Sequence, residues 1–150
     1  MVKTKIILQP KKHFLDRFFN TDTSDFIFNH NRLYPTEIFT IGAIAETYRP
    51  HVIIKIPEVN YPLRTKTPDF FIDGKNYEVK SPIAIKGIKS LTRRAQKQLK
   101  SSADFLVIEL ANIADASVCS SLEYAYNYCH ARNIINFIIM SHGDILYSTR

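Results

Sequence analysis

The feature that most constrains the fold is the run FLVIEL at 105–110, in which five of six side chains are apolar. A short, continuously apolar run is typical of a strand that is buried on both faces, and such a strand needs a packed layer on each side of its sheet. A second apolar run, 133–140, follows a helical pattern at 115–132. These patterns predict a central sheet covered by helices.

The signals upstream complete the order of elements. The segment 36–48 carries Ile38, Ile41, Ala45 and Tyr48 at helical spacing, and Pro50 ends it. A second helix is predicted over 88–101, with Ile88, Leu91, Ala95 and Leu99 as its buried stripe. Strands are predicted at 51–56, 69–72, 76–79 and 144–148, with short elements before residue 34 at 5–8 (strand) and 11–19 (helix).

The chain therefore reads as an α/β protein with a mixed central sheet flanked by helices. Its 150 residues suit one domain, which we divide into an N-terminal part, a core and a C-terminal part at 1–34, 35–110 and 111–150. No apolar stretch reaches the length of a membrane span, and we expect no signal peptide. Cys119 and Cys129 form neither a metal-type pair nor a dense disulfide framework, which favours a reducing compartment.

The hairpin at 69–80 gathers charged residues. Asp73-Gly74 is a strong two-residue turn signal, and it brings the start of the first strand, Asp69, near the end of the second. Strand alternation puts Glu78 and Lys80 side by side on one face. Three charged groups are thus predicted to converge at one end of the hairpin. The alternative is an ordinary solvated pair of Glu78 and Lys80 on an exposed sheet face.

Such a cluster suits phosphodiester cleavage. Asp69 and Glu78 can bind a hard divalent cation through oxygen, which favours Mg²⁺ or Mn²⁺ as the cofactor. The cation polarises the phosphate and lowers the pKa of a bound water, and Lys80 can stabilise the charge that builds on the phosphorus centre.

The motif resembles the PD-(D/E)xK nuclease superfamily. It stands here as Pro68-Asp69, an interval of eight residues, and Glu78-Val79-Lys80. The superfamily core is a helix, three strands, a helix and a strand, and 36–110 reads in that order. The resemblance implies a restriction-endonuclease-like fold, metal binding by Asp69 and Glu78, and activation of water with the help of Lys80.

The superfamily often adds a glutamate from the first helix and a polar residue from the second. At 100° per residue, Glu37 borders the apolar stripe of its helix while Glu46 points towards solvent, so we prefer Glu37. The same geometry favours Gln98 over Gln96. Ser81 either contacts a substrate phosphate or forms part of the turn before Pro82.

The net charge of +6 and the pI of about 9.3 suit a polyanionic partner. The charge is uneven, because no acidic residue lies between Glu78 and Asp104. The residues that we predict to contact nucleic acid lie just before the second helix and along it, and they are Lys86, Lys89, Arg93, Arg94 and Lys97. The alternative is that these side chains form a solvated helix face.

Within the superfamily, 36–110 looks most like the C-terminal toxin domains of contact-dependent inhibition systems. The likeness consists of Pro-Asp, the Asp-Gly turn, Glu-x-Lys-Ser, a helix with a late glutamine, and an apolar strand. It implies a tRNA nuclease that acts in the cytoplasm of a target cell and is neutralised by an immunity protein. Two alternatives stay open: a DNA endonuclease of the restriction or Holliday-junction type, and a non-catalytic nucleic-acid-binding protein.

Overall fold

The computed structural model describes residues 35–55, 68–100 and 103–150, together with the backbone of the strand at 5–8. The strands are β1 (Lys5–Leu8), β2 (Val52–Lys55), β3 (Phe70–Ile72), β4 (Lys75–Lys80), β5 (Phe105–Glu109), β6 (Phe137–Ser141) and β7 (Asp144–Ser148). The helices of these ranges are α1 (Pro35–Tyr48), α2 (Ile85–Leu99) and α3 (Val118–Ala131), and a 3₁₀ turn (Asp115–Ser117) precedes α3. None of these helices has the length and apolar character needed to cross a membrane.

The strands form one mixed sheet in the order β1-β2-β3-β4-β5-β6-β7. The pairs β1–β2, β4–β5 and β5–β6 are parallel, and the remaining neighbours are antiparallel. Parallel neighbours need a crossover between them, and α2 and α3 provide it for β4–β5 and β5–β6. The sheet therefore follows the sequence order of its strands.

Helices cover both faces of the sheet. On one face, Ile41 and Ile44 of α1 pack in a cluster with side chains of the central strands, among them Val107 of β5. On the other face, α2 and α3 pack in a second cluster that contains Leu106 of β5 and Cys129. Leu106 and Val107 both have no exposed surface, so β5 is buried on both sides. This arrangement confirms the fold class predicted from the apolar run at 105–110.

The β3–β4 turn is held by its own residues. Asp73 and Gly74 have φ values of 43° and 86°, and this left-handed pair is the conformation of a type I′ hairpin turn. The Asp73 carboxylate accepts hydrogen bonds from the backbone N–H of His51 at 2.9 Å and of Val52 at 3.0 Å. Asp73 thus occupies a turn position of the hairpin, and its carboxylate attaches that turn to the start of β2.

Three details differ from the sequence prediction. Ile38, expected in the buried stripe of α1, is 36% exposed, whereas Thr36 and Thr40 are buried. The Thr40 hydroxyl donates to the Thr36 carbonyl at 2.9 Å, so the helix itself satisfies this buried hydroxyl.

The strand predicted at 133–140 begins only at 137, because Asn133 has a φ of 57° and ends the turn after α3. In α2, the buried stripe is Ile88, Thr92, Ala95 and Gln98, with Leu91 and Leu99 half-buried.

The short strand predicted at 5–8 is present and pairs with β2 in parallel. The helix predicted at 11–19 lies outside the described residues.

Candidate active site at the open end of the hairpin

Asp69 lies at the open end of the β3–β4 hairpin, where hydrogen bonds to the backbone of β4 hold it. It lies one residue beyond the paired residues Phe70 and Tyr77, which puts it opposite Glu78. Its backbone N–H donates to the Tyr77 carbonyl at 2.9 Å, and its Oδ2 accepts from the Val79 N–H at 2.8 Å. Because backbone groups of β4 hold both ends of the residue, the carboxylate has a defined position beside Glu78.

Glu78 is buried on the α2 face of the sheet, with 4% of its surface exposed. Lys80 Nζ lies 2.9 Å from its Oε1. When the Gln98 amide is oriented by its hydrogen bonds, Nε2 donates to Oε1 at 2.9 Å and to Oε2 at 3.2 Å. Glu78 and Lys80 are therefore no solvated surface pair, and Gln98 reaches the cluster from α2 as the sequence geometry predicted.

The pKa of Glu78 is raised above its ordinary value. Burial is the largest cause and the negative charge of Asp69 is the next, while the Lys80 hydrogen bond and the charges of Lys80 and Lys55 act in the opposite direction. The two carboxylates are thus close enough to repel each other in a partly desolvated place. Additional positive charge at this position would stabilise both ionised groups.

Lys55, at the end of β2, connects Asp69 to the first helix. Its Nζ lies 2.5 Å from Glu37 Oε2 and 3.7 Å from Asp69 Oδ1, and its side chain is only 13% exposed. The ammonium group also lies 5.0 Å from the centre of the Phe70 ring. Glu37 is turned inward, as the helical geometry predicted, and its carboxylate meets Lys55. Glu46 is exposed.

Sequence reasoning missed Lys55. The available signal was weak: a single charged residue in an apolar run, on the same strand face as the core residue Ile53. A lysine on such a face needs a buried partner, but the sequence could not show that α1 supplies Glu37 for it.

Asp69 and Glu78 carry carboxylate oxygens, the ligand type that a hard divalent cation would need. No group of three or more His, Cys, Asp or Glu residues is placed to hold a metal within the ranges that the structure describes. Mg²⁺, however, is commonly held by one or two carboxylates together with water and substrate phosphates. Asp69 and Glu78 supply two such carboxylates at facing positions of the hairpin, and burial together with the charge of Asp69 raises the pKa of Glu78.

The predicted nucleic-acid contacts lie on the outer side of α2. Lys86, Lys89, Arg93, Arg94 and Lys97 are exposed, whereas Gln98 on the inner side is 7% exposed. Ser81 is half-buried and directly follows β4, next to the buried Pro82. The inner side of α2 thus faces the site with Gln98, and its outer side exposes the cations to solvent.

Comparisons with known proteins show the fold alone. No family model matches the chain, and no curated protein matches it. Among solved structures, a chain of the CdiA-CT/CdiI toxin and immunity complex from Burkholderia pseudomallei matches with a TM-score of 0.51 and 17% sequence identity. The alignment covers 94% of this chain and 96% of that chain. The likeness therefore extends over nearly the full length of both chains.

Proposed function

We propose that this chain is a metal-dependent endonuclease that hydrolyses phosphodiester bonds, with Asp69, Glu78 and Lys80 as its catalytic residues. The observation that carries the proposal is their convergence: a buried carboxylate, a second carboxylate opposite it, and a lysine 2.9 Å from the first. Buried charged groups are expensive unless they are paired, and they concentrate at functional sites.

Each residue has a role that its position supports. Asp69 and Glu78 would hold Mg²⁺ or Mn²⁺, which supplies Lewis-acid polarisation of the phosphate and a water of lowered pKa. Lys80 places a positive charge beside Glu78, where it stabilises the negative charge that grows on the phosphate oxygens as water attacks phosphorus and the bond to the leaving oxygen breaks. Gln98 positions Glu78, and Lys55 neutralises Asp69 and Glu37.

For the substrate we propose RNA, with tRNA as the first candidate, and for the biological role a toxin domain with a cognate immunity protein. The basic outer side of α2 suits a phosphate backbone. The shared fold with a chain of a toxin and immunity complex, and the motif resemblance to toxin domains of contact-dependent inhibition systems, favour this role over that of a DNA enzyme. Such a domain would act in the cytoplasm of the target cell.

The test is cleavage of total tRNA and of plasmid DNA by the purified chain, with Mg²⁺ and with EDTA. Glu78→Gln and Lys80→Met should each lower the rate of tRNA cleavage roughly a hundredfold or more, because each removes a charge beside the reacting phosphate. Glu46→Gln is the matched control, since Glu46 is exposed on α1, and it should cleave at the wild-type rate.

Cleavage of tRNA alone, lost with EDTA and in both site variants, would support the proposal. Cleavage of plasmid DNA alone would support the site but show that the substrate is DNA and not tRNA. Full activity of Glu78→Gln would refute the site, and wild-type protein that cleaves neither substrate would refute the nuclease proposal.

A further inference from the structure

A stripe of three side chains runs along α3 and past its end. Tyr124, Tyr128 and Arg132 recur at every fourth residue, which places them on one side of the helix. The rings of Tyr124 and Tyr128 are parallel within 5° with centroids 6.1 Å apart. The guanidinium carbon of Arg132 lies 6.0 Å from the centre of the Tyr128 ring. Both tyrosines are half-buried, so each keeps part of its surface exposed, and Tyr124 also packs against the cluster that contains Leu106 and Cys129.

Each end of the stripe lines a cavity. Tyr124 borders one of about 640 Å³, whose walls are formed by the start of α2 with the residues just before it and by the residues before α3, including Ile83, Lys86, Ile113 and Ser117. Arg132 borders another of about 390 Å³, on the outer side of α2. Tyr128 lies between the two, one helical turn from each end residue. The stripe and the two cavities therefore follow one another along α2 and α3.

The cavity at Arg132 is strongly basic. Five of the seven residues that line it are cationic and none of the seven is acidic. Those five are Arg93, Arg94, Lys97, Lys100 and Arg132. Gln96 ties α3 to α2 here, because its Oε1 accepts from Arg132 Nε at 3.1 Å and its Nε2 donates to the Arg132 carbonyl at 2.9 Å. These bonds orient the guanidinium and leave its two terminal nitrogens out of the contact.

We propose that this stripe with its two cavities is a binding track for single-stranded nucleic acid. Unpaired bases stack on Tyr124 and Tyr128, and phosphates bind the cations around Arg132. Accessible aromatic rings beside a row of cations are the means by which proteins hold single strands without reading their sequence. Ile83, which lines the cavity at the Tyr124 end, follows Lys80 by three residues along the chain.

The aromatic rings decide between possible occupants. A paired duplex keeps its base faces stacked on each other and offers only its backbone and groove edges, so it would use the cations and not the tyrosine rings. An acidic protein would likewise need only the cations. The inference deepens the proposed function, on which it rests, by stating that the substrate reaches the site as an unpaired strand.

The test measures binding apart from cleavage. The wild-type chain in EDTA is titrated into a fluorescein-labelled single strand of about 12 nucleotides, as RNA and as DNA, and into an RNA duplex of the same length. Tyr128→Leu removes the stacking ring and Tyr128→Phe keeps it. Tyr126→Leu is the matched control, because Tyr126 lies on the same helix and packs against Tyr147 and His130.

We expect Tyr128→Leu to weaken single-strand binding about tenfold, with Tyr128→Phe and Tyr126→Leu close to wild type and duplex binding unchanged. Arg132→Gln should also weaken the binding of single strands. This second variant keeps the test valid if Tyr128→Leu fails to fold. If Tyr128→Leu loses binding to single-stranded RNA, to single-stranded DNA or to both, the result supports the track, and the strand affected identifies its ligand.

If Tyr128→Leu weakened the binding of duplex and of single strand equally, the stacking role would be overturned. Displacement of the single strand by poly-glutamate at the same charge concentration would assign the groove to acidic protein instead. Because EDTA is present throughout, tight binding with no nuclease activity would sustain the track and refute the proposed function. If the wild type cleaves its substrate while Tyr128→Leu and Arg132→Gln both bind single strands as tightly as wild type, the proposed function would stand and the track would be refuted.

Discussion

Lys55 and Glu37 form a buried ion pair, with Nζ and Oε2 2.5 Å apart and the two side chains 13% and 7% exposed. The pair joins the end of β2 to the first turn of α1. It also determines what the first-helix glutamate contacts, because Lys55 reaches both Glu37 and Asp69. The carboxylate of α1 is therefore connected to the proposed catalytic cluster through a lysine.

Removing this lysine should destabilise the fold. Lys55→Met keeps the length of the side chain but leaves two carboxylates near each other without their shared cation, and we expect a loss of about 3 kcal/mol in the free energy of unfolding. Urea denaturation measures it. Lys55→Met combined with Glu37→Gln should lose less than the single variant, since the buried negative charge of Glu37 is removed together with its cation. An equal or larger loss in the combined variant would contradict the ion-pair account.

Glu109 should make stability depend on pH. Its side chain is fully buried, and burial raises its pKa, although backbone N–H groups of His142 and Ala111 and the charge of His142 act against the shift. The folded pKa then lies above the unfolded value near 4.5. The contribution of the protonated group is complete below the unfolded pKa and is lost as pH rises through the folded pKa.

Glu109→Gln stays neutral at every pH, and it keeps an oxygen to accept from Ala111 and His142. Its stability relative to wild type should therefore rise as the pH increases above the unfolded value near 4.5, as urea denaturation at each pH would show. Glu46→Gln, at an exposed position, should give a flat difference. A difference that falls with pH would show that Glu109 is stabilised as the anion.

The arginines of α2 should control the salt dependence of binding. Arg93→Ala with Arg94→Ala should weaken binding to single-stranded RNA and reduce the slope of log K against log salt by about 1.4, which corresponds to two phosphate contacts. The control is Arg49→Ala with Lys75→Ala, which removes the same charge from two other exposed positions. If both pairs changed the slope equally, net charge and not a specific groove would account for binding.

The two cysteines should differ in reactivity. Cys119 is exposed, whereas Cys129 is fully buried and burial raises its pKa to about 12. Because the thiolate is the reactive form, a disulfide reagent such as DTNB should titrate one thiol in the native chain and two in guanidinium chloride. Cys119→Ser should show no rapid native reaction. Two rapidly reacting thiols in the native wild type would mean that α3 does not pack on the sheet as described.

The sequence by itself determined the fold class and the local part of the site. The apolar run at 105–110 required layers on both sides of a sheet, and the two-residue turn at Asp73-Gly74 required Asp69 to lie opposite Glu78. Both follow from short-range rules: strand alternation has a period of two residues, and a tight turn sets the register of the strands that it joins. The roles of Asp69, Glu78 and Lys80 remain proposals.

Only the tertiary structure decided which distant groups complete the cluster. Lys55 of β2 meets Glu37 of α1 across 18 residues of sequence, and Gln98 of α2 meets Glu78 of β4. The hydrophobic pattern also misplaced Ile38, since the inner side of α1 near the site is occupied by Glu37 and threonines. Periodicity reports the average polarity of a helix face, but a polar group is buried wherever another element brings its partner, and that pairing depends on how the elements pack.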